Sequence, residues 1–313
     1  MRRPDSMNDQ GVRLSVLAMA CRFELLLEGD DPMRLRAAGE EAIDEIASLD
    51  AQLSRFRPTS DVSWINAHAA LAPVQVEPRL FQLLLVARDL AAQTDGAFDV
   101  TVGPLIKMWR TLDNVEQPLT QTEIQRAASL VGIEHVILDT SSRTVRFDML
   151  GVELDLGAVG KGYAIDRAVE CLRESGISRA LIHGGTSTVY GLGEWKIGIS
   201  GRASSILQEC DADTKVPPFK ALVLRDSALS VSATYGRTFQ IGEKACGHVV
   251  DPRTGEPVSR TVLAAVWGPS ATYCDALSTA LLVNGEEWIP ELTSRFPGYQ
   301  GLAISQAEAR FGS

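Results

Sequence analysis

Residues 153–167 read E-L-D-L-G-A-V-G-K-G-Y-A-I-D-R, a strand end, a glycine-rich turn and a helix start in one run. Val152, Leu154 and Leu156 alternate, Gly157, Gly160 and Gly162 follow, and Ile165, Ala168, Val169 and Leu172 then recur on one helical face. The pattern predicts a strand-to-helix junction. Glycines there let the backbone approach a ligand, and the free N–H groups of a helix start suit a phosphate. Asp155 and Lys161 place opposite charges at the same edge. Gly157 stands too close to Gly160-Lys161 for a Walker loop, and the loop lacks the G-x-G-x-x-G spacing. Alone, the turn reads equally as a phosphate-and-metal site or as a tight connection whose glycines serve packing.

The chain has 313 residues, 45% of them hydrophobic, enough for one large domain or two small ones around a sizeable core. A formal charge of −10 and a pI near 5.0 argue against nucleic acid or an anionic membrane as the main partner. An anionic substrate then needs a metal or a few local basic side chains. The five cysteines are scattered without a C-x-x-C pair and read as reduced packing residues. No stretch approaches the ~20 apolar residues of a membrane span. Leu17-Ala18-Met19-Ala20-Cys21 is similar to a lipoprotein cleavage site, but the short apolar run before it reads as a strand. The expectation is a soluble, cytoplasmic protein with a structureless N-terminus over 1–13.

In chain order, 14–27 is dense enough in apolar residues for a first strand. Residues 33–53 set Ile43, Ile46, Leu49 and Leu53 against Glu40, Glu41, Asp44 and Glu45, an amphipathic helix. The loop S-R-F-R-P from Ser54 offers Arg55 and Arg57 as phosphate contacts or as solvated charges, before a short helix over 62–66. Glu77-Pro78 opens a helix with Leu80, Leu83, Leu84, Ala87, Leu90 and Ala91 in a 3-4 pattern. Residues 96–105, G-A-F-D-V-T-V-G-P-L, carry too much Gly and Pro for regular structure and read as a binding loop. Thr120 and Glu123 form a capping box, and 135–139 with 144–149 form a hairpin.

Beyond the central helix Gly176 is a C-cap, and strands follow at 179–183, 195–200, 221–224, 228–232, 237–241 and 262–267. Residues 201–218 are polar and of uncertain form. A final helix spans 271–283 with Leu277, Ala280 and Leu281 inward. Asp275 and Thr279, four apart, project from one side of it. A carboxylate and a hydroxyl are hard oxygen ligands of the kind magnesium takes; capping or a surface position is the alternative.

Several of these stretches, in order, resemble one family. Residues 19–23, Ser54-Arg55-Phe56 with Arg57-Pro58, 96–105, D-L-G-A-V-G-K-G-Y-A-I-D from Asp155, Gly184-Gly185, H-V-V-D-P-R-T-G-E-P from His248 and Asp275 to Thr279 are similar to the ApbE family of FAD:protein FMN transferases. The likeness spans about 19–285. It implies that FAD is held by Met19, Phe56, Ala97, Phe98, Asp99, Asp155, Lys161 and Val250. It implies magnesium on the Ala158 carbonyl and the Asp275 and Thr279 side chains, and His248 as the group that assists proton removal.

The implied reaction moves FMN from FAD to a Thr or Ser of an acceptor flavoprotein, with AMP departing. FAD pyrophosphatase chemistry and non-catalytic FAD binding are the alternatives. Phe56 and Phe98 are expected to offer flat faces to the flavin nucleotide. Ala233 stands where relatives usually carry Gly, which predicts strain if positive φ is needed. Many members are exported or lipid-anchored. The expected fold is α+β over 14–290, mixed sheets flanked by helices, helix-rich over 14–150 and strand-rich over 151–313. FAD is expected in the cleft between these parts.

Overall fold

The stretch read as one strand over 14–27 is a hairpin. β1 (Gly11–Ala18) and β2 (Cys21–Glu28) pair antiparallel, with Ala18 opposite Cys21. Met19 and Ala20 form the turn with φ of 50° and 59°, the left-handed pair that matches strand twist. Neither is Gly, Asn or Asp, so no turn signal marks the spot. The structure, a computed structural model, describes residues 11–111, 119–199, 206–208, 220–234, 238–241, 244–247 and 249–306.

α1 (Pro32–Leu53) starts at Asp31, whose carboxylate accepts from the Met33 and Arg34 N–H groups, and buries Leu35, Ala42, Ile46, Leu49 and Leu53. α2 (Asp61–His68), the two-residue β3 (Val74–Gln75) and α3 (Pro78–Gln93) follow. α4 (Gly103–Thr111) begins inside the segment predicted to be a loop. Pro104 falls in its first turn, where a missing N–H costs nothing. α5 (Gln121–Ala128) carries the predicted capping box. β4 (Val136–Asp139) and β5 (Thr144–Phe147) form the predicted hairpin, to which β3 adds a third strand.

α6 (Gly160–Glu174) leads to β6 (Ala180–Gly184) and β7 (Thr188–Ile199), then β8 (Ile206–Gln208) and β9 (Lys220–Ala233). β10 (Thr238–Ile241) pairs with β11 (Lys244–Gly247), and β12 (Thr261–Gly268) precedes α7 (Ala271–Asn284). α8 (Ile289–Arg295) and β13 (Gln300–Ser305) close the described chain. The main sheet runs β1-β2-β6-β7-β9-β12-β13, with β8 on β7.

The fold is α+β, as expected, but the ladders between described strands are antiparallel rather than mixed. Residues 152–156, read as the strand end of a strand-to-helix junction, differ as well. They enter no ladder. Glu153 makes one isolated parallel bridge to Val102. The Asn66 amide takes both backbone groups of Leu154, at 2.7 and 3.0 Å, and Asp155 N–H donates to Val100 O at 2.7 Å. A side chain and a loop satisfy the backbone that a neighbouring strand would otherwise pair.

Strand alternation sorts the sheet into two faces. Phe23, Leu25, Leu27 and Ile182 point to the helices and join Ile46, Ile165, Ala168, Leu277 and Leu281 in the main core. Each fully buried Phe, Leu or Ile side chain there contributes about 1.5–3 kcal/mol. Leu181, Val189, Trp195, Leu229 and Leu263 form a second cluster on the opposite face. Leu105, Trp109, Ile124 and Val250 make a third, which ties the 249–257 turn to α4 and α5. No helix among the described residues is long and apolar enough to cross a membrane.

Candidate active site

α6 starts without a side-chain cap of its own, since its N-cap residue is Val159. The Gly162 N–H donates instead to Asp275 Oδ2 on α7, at 3.0 Å. In return Asp166 on α6 accepts from the Ala271 and Thr272 N–H groups, both at 2.8 Å, at the start of α7. The two helices therefore begin face to face. A Cβ on Gly162 would overlap the Ala271 carbonyl, so only glycine permits this approach.

Asp275 is 3% exposed. Its Oδ1 faces the Thr188 and Ser230 hydroxyls, each at 3.3 Å, and the Lys161 ammonium at 3.6 Å. Lys161 Nζ also donates to the Gly157 carbonyl at 3.4 Å. The hydroxyls continue outward: Ser278 lies 3.4 Å from Ser230, and Ser232 lies 2.8 Å from Ser278 and 3.3 Å from Thr279. Thr279 Oγ1 donates back to the Asp275 carbonyl at 3.3 Å. Thr188, Ser230, Ser232 and Ser278 were not singled out from sequence. The available signal was Ser230-x-Ser232, two hydroxyls on one face of the apolar 228–233 end of β9.

Asp155 accepts from the Gly157 N–H and from Arg55 Nη1, each at 2.8 Å. Arg55 is thus not a free phosphate contact; it forms an ion pair whose side chains are 10% and 18% exposed. Arg57 pairs with Asp50. Phe56 is open to solvent, its ring 5.3 Å from the Arg55 guanidinium and 4.7 Å from that of Arg110. The Met19 N–H donates to Asp50 at 2.7 Å, and its sulfur approaches Gly160 at the start of α6.

The remaining candidates lie behind this surface. Ala97 and Phe98 are core residues, so the Phe98 ring offers no open face. Asp99 accepts from Thr101 N–H and Oγ1 at 2.8 and 2.6 Å and from Ile133 N–H at 2.8 Å. Burial raises its carboxyl above the usual range, against the lowering effect of those bonds. Val250 is buried and bridges Pro257, while Trp109 Nε1 donates to Gly255 O at 2.8 Å. Ala158 belongs to the turn between Gly157 and α6. Ala233 sits in β9 opposite Leu263 and is absent from the positive-φ residues, so the strain expected of its Cβ does not arise. His248 lies outside the described residues.

Around Asp275 the donors are a carboxylate, hydroxyls and backbone carbonyls. No group of three or more His, Cys, Asp or Glu side chains that could hold a metal occurs among the described residues. A hard-oxygen set with one formal charge fits a magnesium ion that shares its shell with water and substrate phosphates, not a protein-only cage.

The ApbE family model matches residues 18–303, from the end of β1 into β13. The chain belongs to the ApbE family. The FAD:protein FMN transferase of Escherichia coli K12 is 27% identical to it, over 96% of this chain and 86% of that protein. The FAD:protein FMN transferase of Treponema pallidum is 30% identical, over 86% and 77%. The crystal structure of the ApbE protein of Thermotoga maritima superposes with a TM-score of 0.81 at 26% identity, covering 95% of each chain. The flavin transferase ApbE of Vibrio cholerae, 22% identical with a TM-score of 0.72, has the same fold over 96% of this chain and 98% of its own. Within this ApbE member, the facing starts of α6 and α7 bring together cationic, carboxylate and hydroxyl groups among the described residues.

Proposed function

We propose that this ApbE member is a magnesium-dependent transferase that moves FMN from FAD onto a Thr or Ser hydroxyl of an acceptor flavoprotein and releases AMP. The carrying observation is the gathering of the Lys161 ammonium, the Gly162 N–H and the Asp275 oxygens at the start of α6. A helix start with a neighbouring lysine is an anion site, and a diphosphate is the anion that FAD presents. FAD would lie in the cleft between the 14–150 and 151–313 parts of one domain.

In this reading the acceptor oxygen bonds to the FMN-side phosphorus as the bond from that phosphorus to the bridging oxygen breaks. AMP leaves with the bridging oxygen. Lys161 holds the phosphates against the glycine turn. Asp275, Thr279 and the Ala158 carbonyl would hold magnesium, which when bound neutralises charge building on the diphosphate and orients the leaving group. His248, assigned from the H-x-x-D-P motif, takes the proton of the attacking hydroxyl. Phe56 supplies an exposed ring for the adenine or isoalloxazine to stack upon, next to two guanidinium groups. Arg55 holds Asp155 aimed at the turn.

The test is incubation with FAD, magnesium and a candidate acceptor, followed by mass spectrometry of the acceptor and assay of AMP. An FMN-sized gain on a Thr or Ser, matched by AMP and abolished by chelator, is the expected result. AMP without modification would instead identify water as the attacking group, and neither product would identify a flavin-binding protein without turnover.

A further inference from the structure

We infer that Asp166 is the positioning residue of this site: it sets the register of α7 against α6 and so fixes Asp275 and Thr279 opposite Lys161. The inference rests on the transferase reading above. Asp166 accepts from the backbone of Ala271 and Thr272 at 2.8 Å, and its Oδ2 also accepts from the Ser270 and Thr272 hydroxyls at 2.6 Å. Both oxygens are thus taken by groups at the start of α7. Three of these four donors converge on Oδ2 and one on Oδ1, which ties the carboxylate to the start of α7.

Without Asp166, α7 keeps a cap of its own, because Ser270 Oγ accepts from the Tyr273 N–H at 3.3 Å. The helix persists; its polar attachment to α6 is weakened. The polar ties that remain between the two helix starts are the Gly162 N–H and the Lys161 ammonium, both on Asp275, and both draw on the same carboxylate that the site needs. Asp166 therefore carries the joint so that the Asp275 Oδ1 side stays available. Buried as the helix starts are, a small slip of α7 would move Asp275 and Thr279 together relative to Lys161.

The test measures free manganese(II) by electron paramagnetic resonance in protein saturated with ADP, a diphosphate nucleotide, alongside acceptor flavinylation with FAD. Asp166→Ala should raise the manganese Kd by about tenfold or more, in the range found for residues that orient metal ligands. Asp166→Asn, which keeps one accepting oxygen, should fall between it and the parent. Leu292→Ala, in the buried face of α8, provides a variant destabilised elsewhere and should leave the manganese Kd unchanged at temperatures where it is folded. If Asp166→Ala fails to fold, Thr272→Val removes one donor and should show a smaller rise in the same direction. A parent-like Kd in the folded Asp166 variants, or an equal rise in Leu292→Ala, overturns the inference while parent flavinylation stands. A parent protein that binds no manganese and modifies no acceptor overturns the transferase reading, and the inference with it.

Discussion

Lys161 Nζ stands 3.6 Å from Asp275 Oδ1 and 3.4 Å from the Gly157 carbonyl, an ammonium group among oxygens otherwise suited to a metal ion. Without a divalent cation, the lysine compensates a carboxylate that is almost wholly buried. Lys161→Met should lower stability by about 3 kcal/mol, the scale for stripping one partner from a buried pair. Added magnesium should restore more stability to the variant than to the parent. Urea unfolding of both proteins with and without magnesium checks this; equal magnesium effects would count against shared occupancy of the oxygens.

Asp275 does two jobs, so its alanine variant confounds them. Losing the contact to Gly162 should cost about 1 kcal/mol as a lost helix cap. Asp275→Asn keeps an oxygen that can take the Gly162 N–H but removes the charge. It should leave the melting temperature near that of the parent while slowing FMN transfer about 100-fold, comparable to deleting one group that stabilises developing charge. Parallel thermal melts and transfer assays separate the two effects.

Phe56 is exposed and belongs to no core cluster. Phe56→Ala should change folding stability by less than about 0.5 kcal/mol. Flavin affinity should fall about three- to tenfold, the worth of one aromatic stacking partner. Quenching of FAD fluorescence measures it, and an unchanged Kd would remove Phe56 from the binding surface.

His183 is 5% exposed on β6, and its Nε2 has no hydrogen-bond partner among the described residues. Burial pushes its pKa down to about 4 from an ordinary 6.5. A depressed folded value means that the unfolded chain takes the proton more readily. Stability is therefore complete above pH 6.5 and declines as pH falls towards 4, by up to about 3 kcal/mol. His183→Leu should flatten the unfolding free energy across that window. Asp99, raised by burial, acts with the opposite sign at the acid end, so comparing variant and parent at each pH isolates the histidine.

Much of the helical framework could be read from residue order. α1 and α3 carry apolar periodicity, α7 is a helix-length apolar run closed by Asn284-Gly285, and the Thr120 to Glu123 capping box marks α5. That Asp275 and Thr279 sit one turn apart on one helix was legible; that the carboxylate meets Gly162 and Lys161 while the Thr279 hydroxyl turns back to the Asp275 carbonyl was not. What local pattern could not reveal were features made by distant partners. The β1–β2 turn lacks the usual turn residues, and 152–156 alternates like a strand yet gives its backbone to Asn66 and Val100. The segments 221–224 and 228–232 are one strand, β9, whose ladder with β7 shifts register between Gly191 and Glu194. α8 and β13 have weak patterns and were not anticipated. Phe98 looked like a ligand platform because an aromatic beside a carboxylate in a Gly-rich stretch reads that way. Its burial follows from the core that the 96–102 segment helps to close. Asp166 gave no signal, since its partners lie more than a hundred residues downstream.

Gly162 and Asp275 are 113 positions apart, and β2 gains its second neighbour only when Leu25 meets Ile182 on β6. On the ribosome, the hairpin and α6 emerge long before α7 exists to meet them. On the proposed reading, assembly of the diphosphate site must therefore wait until synthesis has passed Thr279, and a product terminated upstream of α7 would retain Phe56 and Lys161 yet lack the oxygens of Asp275 and Thr279.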